Sequence, residues 1–177
     1  MTSLPRIYVE VDEADVKRYI DNSGRALKRM AVVRDDGEVI FVDVGERLRI
    51  ESKSKVYVQG IYDDAYAWLV DFETGIIRKN VIIVSPRGDI IRLNRGDKVY
   101  LIEATGRTVV PLVKLGEYVL EGRRLAAIFT GKREVRYLRS DVSGRIAYIA
   151  QVESKPHRYL IIMIPKERVS SDECVSP

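Results

Sequence analysis

Gly106-Arg-Thr-Val-Val-Pro-Leu-Val-Lys-Leu-Gly-Glu-Tyr-Val-Leu-Glu-Gly-Arg-Arg-Leu-Ala-Ala-Ile128 alternates short apolar segments with glycine-bearing turns, a rhythm of strands rather than helices. Its opening returns later in the chain. Thr105-Gly-Arg-Thr-Val-Val-Pro-Leu-Val113 is similar to Ser143-Gly-Arg-Ile-Ala-Tyr-Ile-Ala150. Each copy is followed by a turn-rich stretch and then an apolar strand, Leu125 to Phe129 in the first and Leu160 to Ile164 in the second. Two such half-units, related by a pseudo-twofold, can bury each other's apolar faces when neither could alone. A hairpin joins the copies, with Thr130-Gly131-Lys132 at its tip.

Outward from this repeat, period-2 alternation continues almost everywhere, so the chain is expected to be mostly β. One segment reads as helix, from Asp12 to about Asn22. Asp12 can cap it, Glu13 and Asp15 sit in the first turn, Val16, Tyr19 and Ile20 share a face, and Ser23-Gly24 stops it. Strands are expected at Ile7–Val11, Met30–Arg34, Glu38–Val44, Arg47–Glu51, Lys55–Tyr62, Tyr66–Phe72, Val81–Ser85, Asp89–Leu93 and Lys98–Ala104. Asp35-Asp36-Gly37, Pro86-Arg87-Gly88 and Asn94-Arg95-Gly96-Asp97 supply turns between them. No linker rich in Gly, Ser and Pro separates the parts. The expected organisation is an N-terminal β region with one helix over residues 1–80, a second β module over 81–165, and a frayed tail over 166–177.

The 106–128 stretch is similar to the first half of biotinyl/lipoyl domains. Those run from a Gly-x-Val strand through a Gly-Asp-x-Val-x-x-Gly turn to a Leu-Ala-x-Ile strand. Arg139-Ser-Asp-Val-Ser-Gly-Arg-Ile146 resembles that family's Ser-Pro-x-x-Gly-x-Val segment after the hairpin. The whole chain also resembles an uncharacterised archaeal family, the domain-of-unknown-function 2118 type, that carries such a module. The resemblance implies a barrel-sandwich hybrid and a modified lysine at the hairpin tip, where a flexible ammonium stem can reach a ligase and then swing a cofactor. Lys132, after Gly131, matches that position, and biotin or lipoate is the cofactor it would carry. The tip reads Gly131-Lys132-Arg133 where biotin acceptors have Met-Lys-Met, and Gly131 stands where lipoyl acceptors usually have an acid.

Composition narrows the classes that remain. With 46% hydrophobic and 32% charged residues the chain is globular, and no apolar run approaches the ~20 residues of a membrane span. The longest, Tyr159 to Ile164, is strand-sized. The start of the chain does not read as a signal peptide, and a single cysteine, Cys174, fits a reducing cytoplasm. The net charge of +4 reads as dispersed, Arg alternating with Asp and Glu in the manner of a thermophile's ion-paired surface. One histidine, His157, and one cysteine cannot make a Cys/His zinc cluster, and no Gly-x-Ser-x-Gly elbow or phosphate loop occurs. Neither catalytic nor metal-ligating residues are expected. Asp35-Asp36 and Asp63-Asp64 read as turn residues. Tyr66, Trp68 and Phe72, at even spacing on a strand, could form with Tyr62 a stacking platform for RNA. The expectation is therefore a non-enzymatic binding or carrier module with a protein partner. A homo-oligomer and an RNA-binding β surface are the alternatives.

Overall fold

The computed structural model describes residues 4–12, 29–34, 36–43 and 55–166. The helix read over 12–22, the strand over Arg47–Glu51, Cys174 and the tail after Lys166 lie outside the described residues, apart from Asp12 itself. Within them the protein is mostly β, and most expected strands fall within two residues of their positions. The strands are β1 (Arg6–Val11), β2 (Arg29–Val33), β3 (Val39–Asp43), β4 (Lys55–Gly60), β5 (Val81–Val84), β6 (Ile90–Leu93), β7 (Tyr100–Gly106), β8 (Thr108–Pro111), β9 (Tyr118–Val119), β10 (Arg124–Phe129), β11 (Val135–Arg139), β12 (Gly144–Ser154) and β13 (His157–Pro165). The β2–β3 turn closes with Gly37 N–H on the Arg34 carbonyl at 2.9 Å, and Gly37 takes the left-handed φ of 86° that favours glycine.

Three sheets follow, and every pairing is antiparallel. The first has the order β3-β2-β4-β1-β5-β6, the second β7-β13-β12-β9, and the third β11-β10-β8. The second sheet lies between the other two. From its strands, Ala147, Tyr148, Ala150, Leu160 and Ile162 pack into one core with Ile7, Val81, Ile83, Ile91 and Leu93 of the first sheet. From the same strands, Ile146, Ile161 and Met163 pack on the opposite side with Ile102, Val113, Val119 and Leu125. A central layer needs both faces apolar, which explains why Leu160-Ile-Ile-Met163 is an unbroken apolar run with all four side chains fully buried. β5, Val81-Ile-Ile-Val84, is also buried throughout: Val81 and Ile83 face the central sheet, and Ile82 and Val84 pack with Tyr8, Ala31 and Tyr57 of their own sheet.

Two departures from the sequence reading bear on the site. β5 pairs with β1 in the register Ile7↔Ile83, so strand pairing does not break at residues 80 and 81 but runs on through Leu93. The strand expected over Tyr66–Phe72 is instead a one-turn helix, α1 (Tyr66–Leu69). Asp63-Asp64 starts a turn, and the Ala65 carbonyl then accepts the N–H groups of Trp68 and Leu69. Ala65 and Leu69, four residues apart, are both fully buried. Helical spacing of these two small and aliphatic side chains therefore prevails over the even spacing of the aromatics.

The turn before α1 is tied to the central sheet by two tyrosines. Tyr148 Oη donates to the Tyr62 carbonyl at 2.7 Å, and the Tyr62 hydroxyl donates to the Ile149 carbonyl at 3.0 Å, with the rings 4.8 Å apart. Burial holds both phenols well above their ordinary value of 10.0. A raised folded value means the native state keeps its phenolic protons where the unfolded chain has lost them, so this contribution is intact below pH 10 and declines above it. Denaturant midpoints measured from pH 8 upward are expected to stay level to about pH 10 and then fall. Tyr148→Phe should start lower and show a shallower alkaline decline.

Candidate functional site

The internal repeat is present in three dimensions as well as in sequence. In the first copy β8 pairs with β10; in the second, β12 pairs with β13. Each copy opens on a glycine that lies against its own second strand. A Cβ on Gly106 would overlap Ile128 Cγ2 and stand 3.3 Å from the Phe129 carbonyl oxygen. A Cβ on Gly144 would overlap the Ile164 carbonyl oxygen and stand 2.9 Å from Met163 Cγ. Aligning Leu125 with Leu160 makes Ile128 the counterpart of Met163 and Phe129 that of Ile164. Both glycines therefore meet the same two positions of the repeat, and both are demanded by close approach rather than by an unusual φ.

The segment joining the copies is the β10–β11 hairpin. Thr130 N–H donates to the Glu134 carbonyl at 3.0 Å, and the Thr130 hydroxyl donates to the same oxygen at 3.4 Å. Arg133 takes a left-handed φ of 61°, which costs an L-residue with a Cβ about 1 kcal/mol. Gly131 and Lys132 are exposed at the tip, and a Cβ on Gly131 would meet nothing within 4 Å. Lys132 carries its amine on a flexible four-carbon stem at the outer end of a turn held by its own hydrogen bonds. The chemistry open to such a group is amide formation at Nζ.

The hairpin also carries a feature that whole-chain counts conceal. Residues 124–139 hold five basic side chains (Arg124, Lys132, Arg133, Arg136 and Arg139) and one acid, Glu134. Their formal charge of +4 equals that of the entire chain, because the other residues hold 25 of the 30 Lys and Arg and 25 of the 26 Asp and Glu. The positive charge is thus concentrated, not dispersed as its alternation with acids suggested. A running count in short windows would have found it. The hairpin's outer face is apolar as well. Register sets Val110 beside Ala127 beside Tyr137, and Thr108 beside Phe129 beside Val135. Val110, Phe129, Val135 and Tyr137 are each 40–44% exposed.

The other singled-out residues are placed elsewhere. Tyr62 is buried, Tyr66 and Trp68 are half-buried around α1, and Phe72 is exposed beyond it, so the four do not share a strand face. His157 is half-buried, and its Nδ1 accepts the Val109 N–H at 3.4 Å. Asp36 accepts the Glu38 N–H at 2.9 Å, the local bond expected of a turn aspartate. Asp71 does the same for Glu73 and Thr74, which holds its carboxyl below the usual range. Among the described residues no group of three or more His, Cys, Asp or Glu could hold a metal ion, and no helix is long and apolar enough to cross a membrane.

A family model described as "Uncharacterized protein conserved in archaea (DUF2118)" matches residues 2–166. An uncharacterised protein of Methanocaldococcus jannaschii, MJ0859, is 30% identical over 159 residues, covering 88% of this chain and 94% of that protein. Neither description names an activity.

Proposed function

The chain belongs to this archaeal family, DUF2118, and we propose that its C-terminal half is a biotinyl/lipoyl-like module of the barrel-sandwich kind that binds and presents but performs no chemistry of its own. The supporting observation is the hairpin between the two repeat halves, with Lys132 exposed at its tip. A carrier needs three things from its fold: a rigid body, a protruding turn, and an amine at the end of it. The second and third sheets supply the body, and the Thr130–Glu134 bonds fix the turn. Gly131 and Lys132 would hold the cofactor, and biotin or lipoate, when attached, supplies carboxyl or acyl carriage. The flanks Gly131 and Arg133 differ from those of known acceptors, so a ligase would have to read the body and the charge of the hairpin rather than a Met-Lys-Met tip.

Intact mass of the protein purified from its native cells, with peptide mapping of Arg124–Arg139, tests attachment. The expected result is an added mass on Lys132 that disappears in Lys132→Arg, a variant that keeps the charge. A bare Lys132, in cells whose other carriers are modified, would overturn the carrier reading and leave the hairpin as a docking surface. The alternative, RNA binding, draws support from the same +4 charge and predicts affinity that falls steeply with salt.

A further inference from the structure

β11 is the edge of its sheet. Among the described residues no strand pairs with its outer side. The Thr130–Glu134 bond and the pairs Ile128↔Arg136 and Ala126↔Leu138 direct the backbone of Glu134, Arg136 and Leu138 toward β10. By antiparallel alternation, the N–H and C=O groups of Val135 and Tyr137 face outward. Natural edges are commonly shortened, bulged or covered. This one is five residues long, exposed at four of them, and continuous with the apolar row of Val110, Phe129, Val135 and Tyr137.

Resting on the reading of the hairpin as a presenting element, we propose that β11 receives an extended, acidic segment of a partner protein as an added strand. Its apolar residues would cover Val135 and Tyr137, its carboxylates would lie on the opposite face with Arg136, and Arg133 and Arg139 would flank it at the two ends of β11. Charge selects the occupant. A second copy of this chain would bring a +4 hairpin against a +4 hairpin, so self-pairing along this edge is opposed. An acidic strand is drawn to the same edge and also satisfies its open backbone groups. RNA would match the charge but not the backbone edge. Tyr137 carries the Arg124 guanidinium over one ring face at 4.0 Å, which competes with base stacking there. Left-handed Arg133 fits the same purpose: glycine would relax that position but would remove a cation from the rim.

The test uses the full chain, with Lys132 unmodified, and a fluorescent peptide of about ten residues alternating Glu with Val. Controls are a peptide of the same composition with its acids clustered, the alternating peptide N-methylated at every second amide, and a single-stranded RNA oligomer. Anisotropy should show the alternating peptide binding at least about tenfold more tightly than either peptide control and weakening as salt rises. Amide exchange should slow at Val135 and Tyr137. Arg136→Glu with Arg139→Glu should lose about tenfold or more. Val135→Pro, which deletes an outward N–H and no β10 bond, should lose binding while circular dichroism stays native. Equal binding of the N-methylated peptide, no binding of the alternating peptide at millimolar concentration, tighter binding of RNA, or dimerisation through β11 would each overturn the proposal. Because the peptide is tested on unmodified protein, a bare Lys132 in native cells sinks the carrier reading alone. Peptide failure beside a modified Lys132 sinks this one alone.

Discussion

Gly144→Ala is expected to destabilise the protein by about 3 kcal/mol, lowering the melting temperature by roughly 10 °C, whereas Gly131→Ala should change it by less than about 0.5 kcal/mol. Both substitutions add one methyl group to one strand-and-turn module, so the difference isolates what surrounds the glycine. Gly144 pairs with Pro165 on one side and Val119 on the other, which leaves β12 little freedom to move sideways. The atom its Cβ would overlap is the Ile164 carbonyl oxygen, part of the neighbouring backbone, and Met163 Cγ at 2.9 Å closes the remaining space. No rotamer change can relieve a clash with a main chain. Gly106→Ala should cost less, about 1–2 kcal/mol, because its overlap is with the end of the Ile128 side chain, which can turn away. Thermal and urea unfolding of the three variants checks the order. If Gly144→Ala proves as mild as Gly131→Ala, β12 and β13 of the second copy do not approach as closely as described.

The strands and most turns were legible because apolar alternation and Asp-Gly or Gly-Asp pairs report local backbone geometry directly. Asp35-Asp36-Gly37 and the β10–β11 hairpin are examples, and so is the exposed position of Lys132. The repeat was visible as shared Gly-Arg and strand order. What the glycines meet was not, because that depends on which residues of β10 and β13 lie opposite them. The helix α1 was missed because Tyr66, Trp68 and Phe72 mimic a strand's even spacing while the residues that choose the helix, Ala65 and Leu69, are inconspicuous. β5 and β6 could not be assigned to the first sheet from their own sequence. An apolar Val81-Ile-Ile-Val84 signals burial on both faces but not the identity of its neighbour. The basic hairpin was hidden by an average. A chain whose remainder is electrically balanced lends its modest net charge the look of an even scatter.

Tyr148→Ala is expected to cost about 3–5 kcal/mol, the usual loss for a fully buried aromatic, and to lower the stability of both halves of the molecule together. Its hydroxyl and that of Tyr62 exchange bonds across the boundary between the first and central sheets. Tyr148 Oη gives its proton to the Tyr62 carbonyl at 2.7 Å and accepts the Tyr66 N–H at 3.3 Å. Tyr62 Oη accepts the Ile149 N–H at 3.1 Å and donates to the Ile149 carbonyl at 3.0 Å, taking the place of a neighbouring strand on that side of β12. Removing the Tyr148 hydroxyl alone, in Tyr148→Phe, leaves the Tyr66 N–H and the Tyr62 carbonyl without this partner, which costs about 1–3 kcal/mol. A module able to fold alone would confine such damage to one region. Here Ala147, Tyr148, Ala150, Leu160 and Ile162 belong to the same core as Ile7, Ile83 and Leu93, so this face of the central sheet is covered only together with the first sheet. Urea unfolding of Tyr148→Ala, followed by Trp68 fluorescence for the first half and by amide exchange in β10 and β13 for the second, should give coincident transitions at a lowered midpoint. Separate midpoints would mean that the C-terminal sheets form an independent body. The hairpin's mobility would then have to be considered apart from the N-terminal sheet that now braces it.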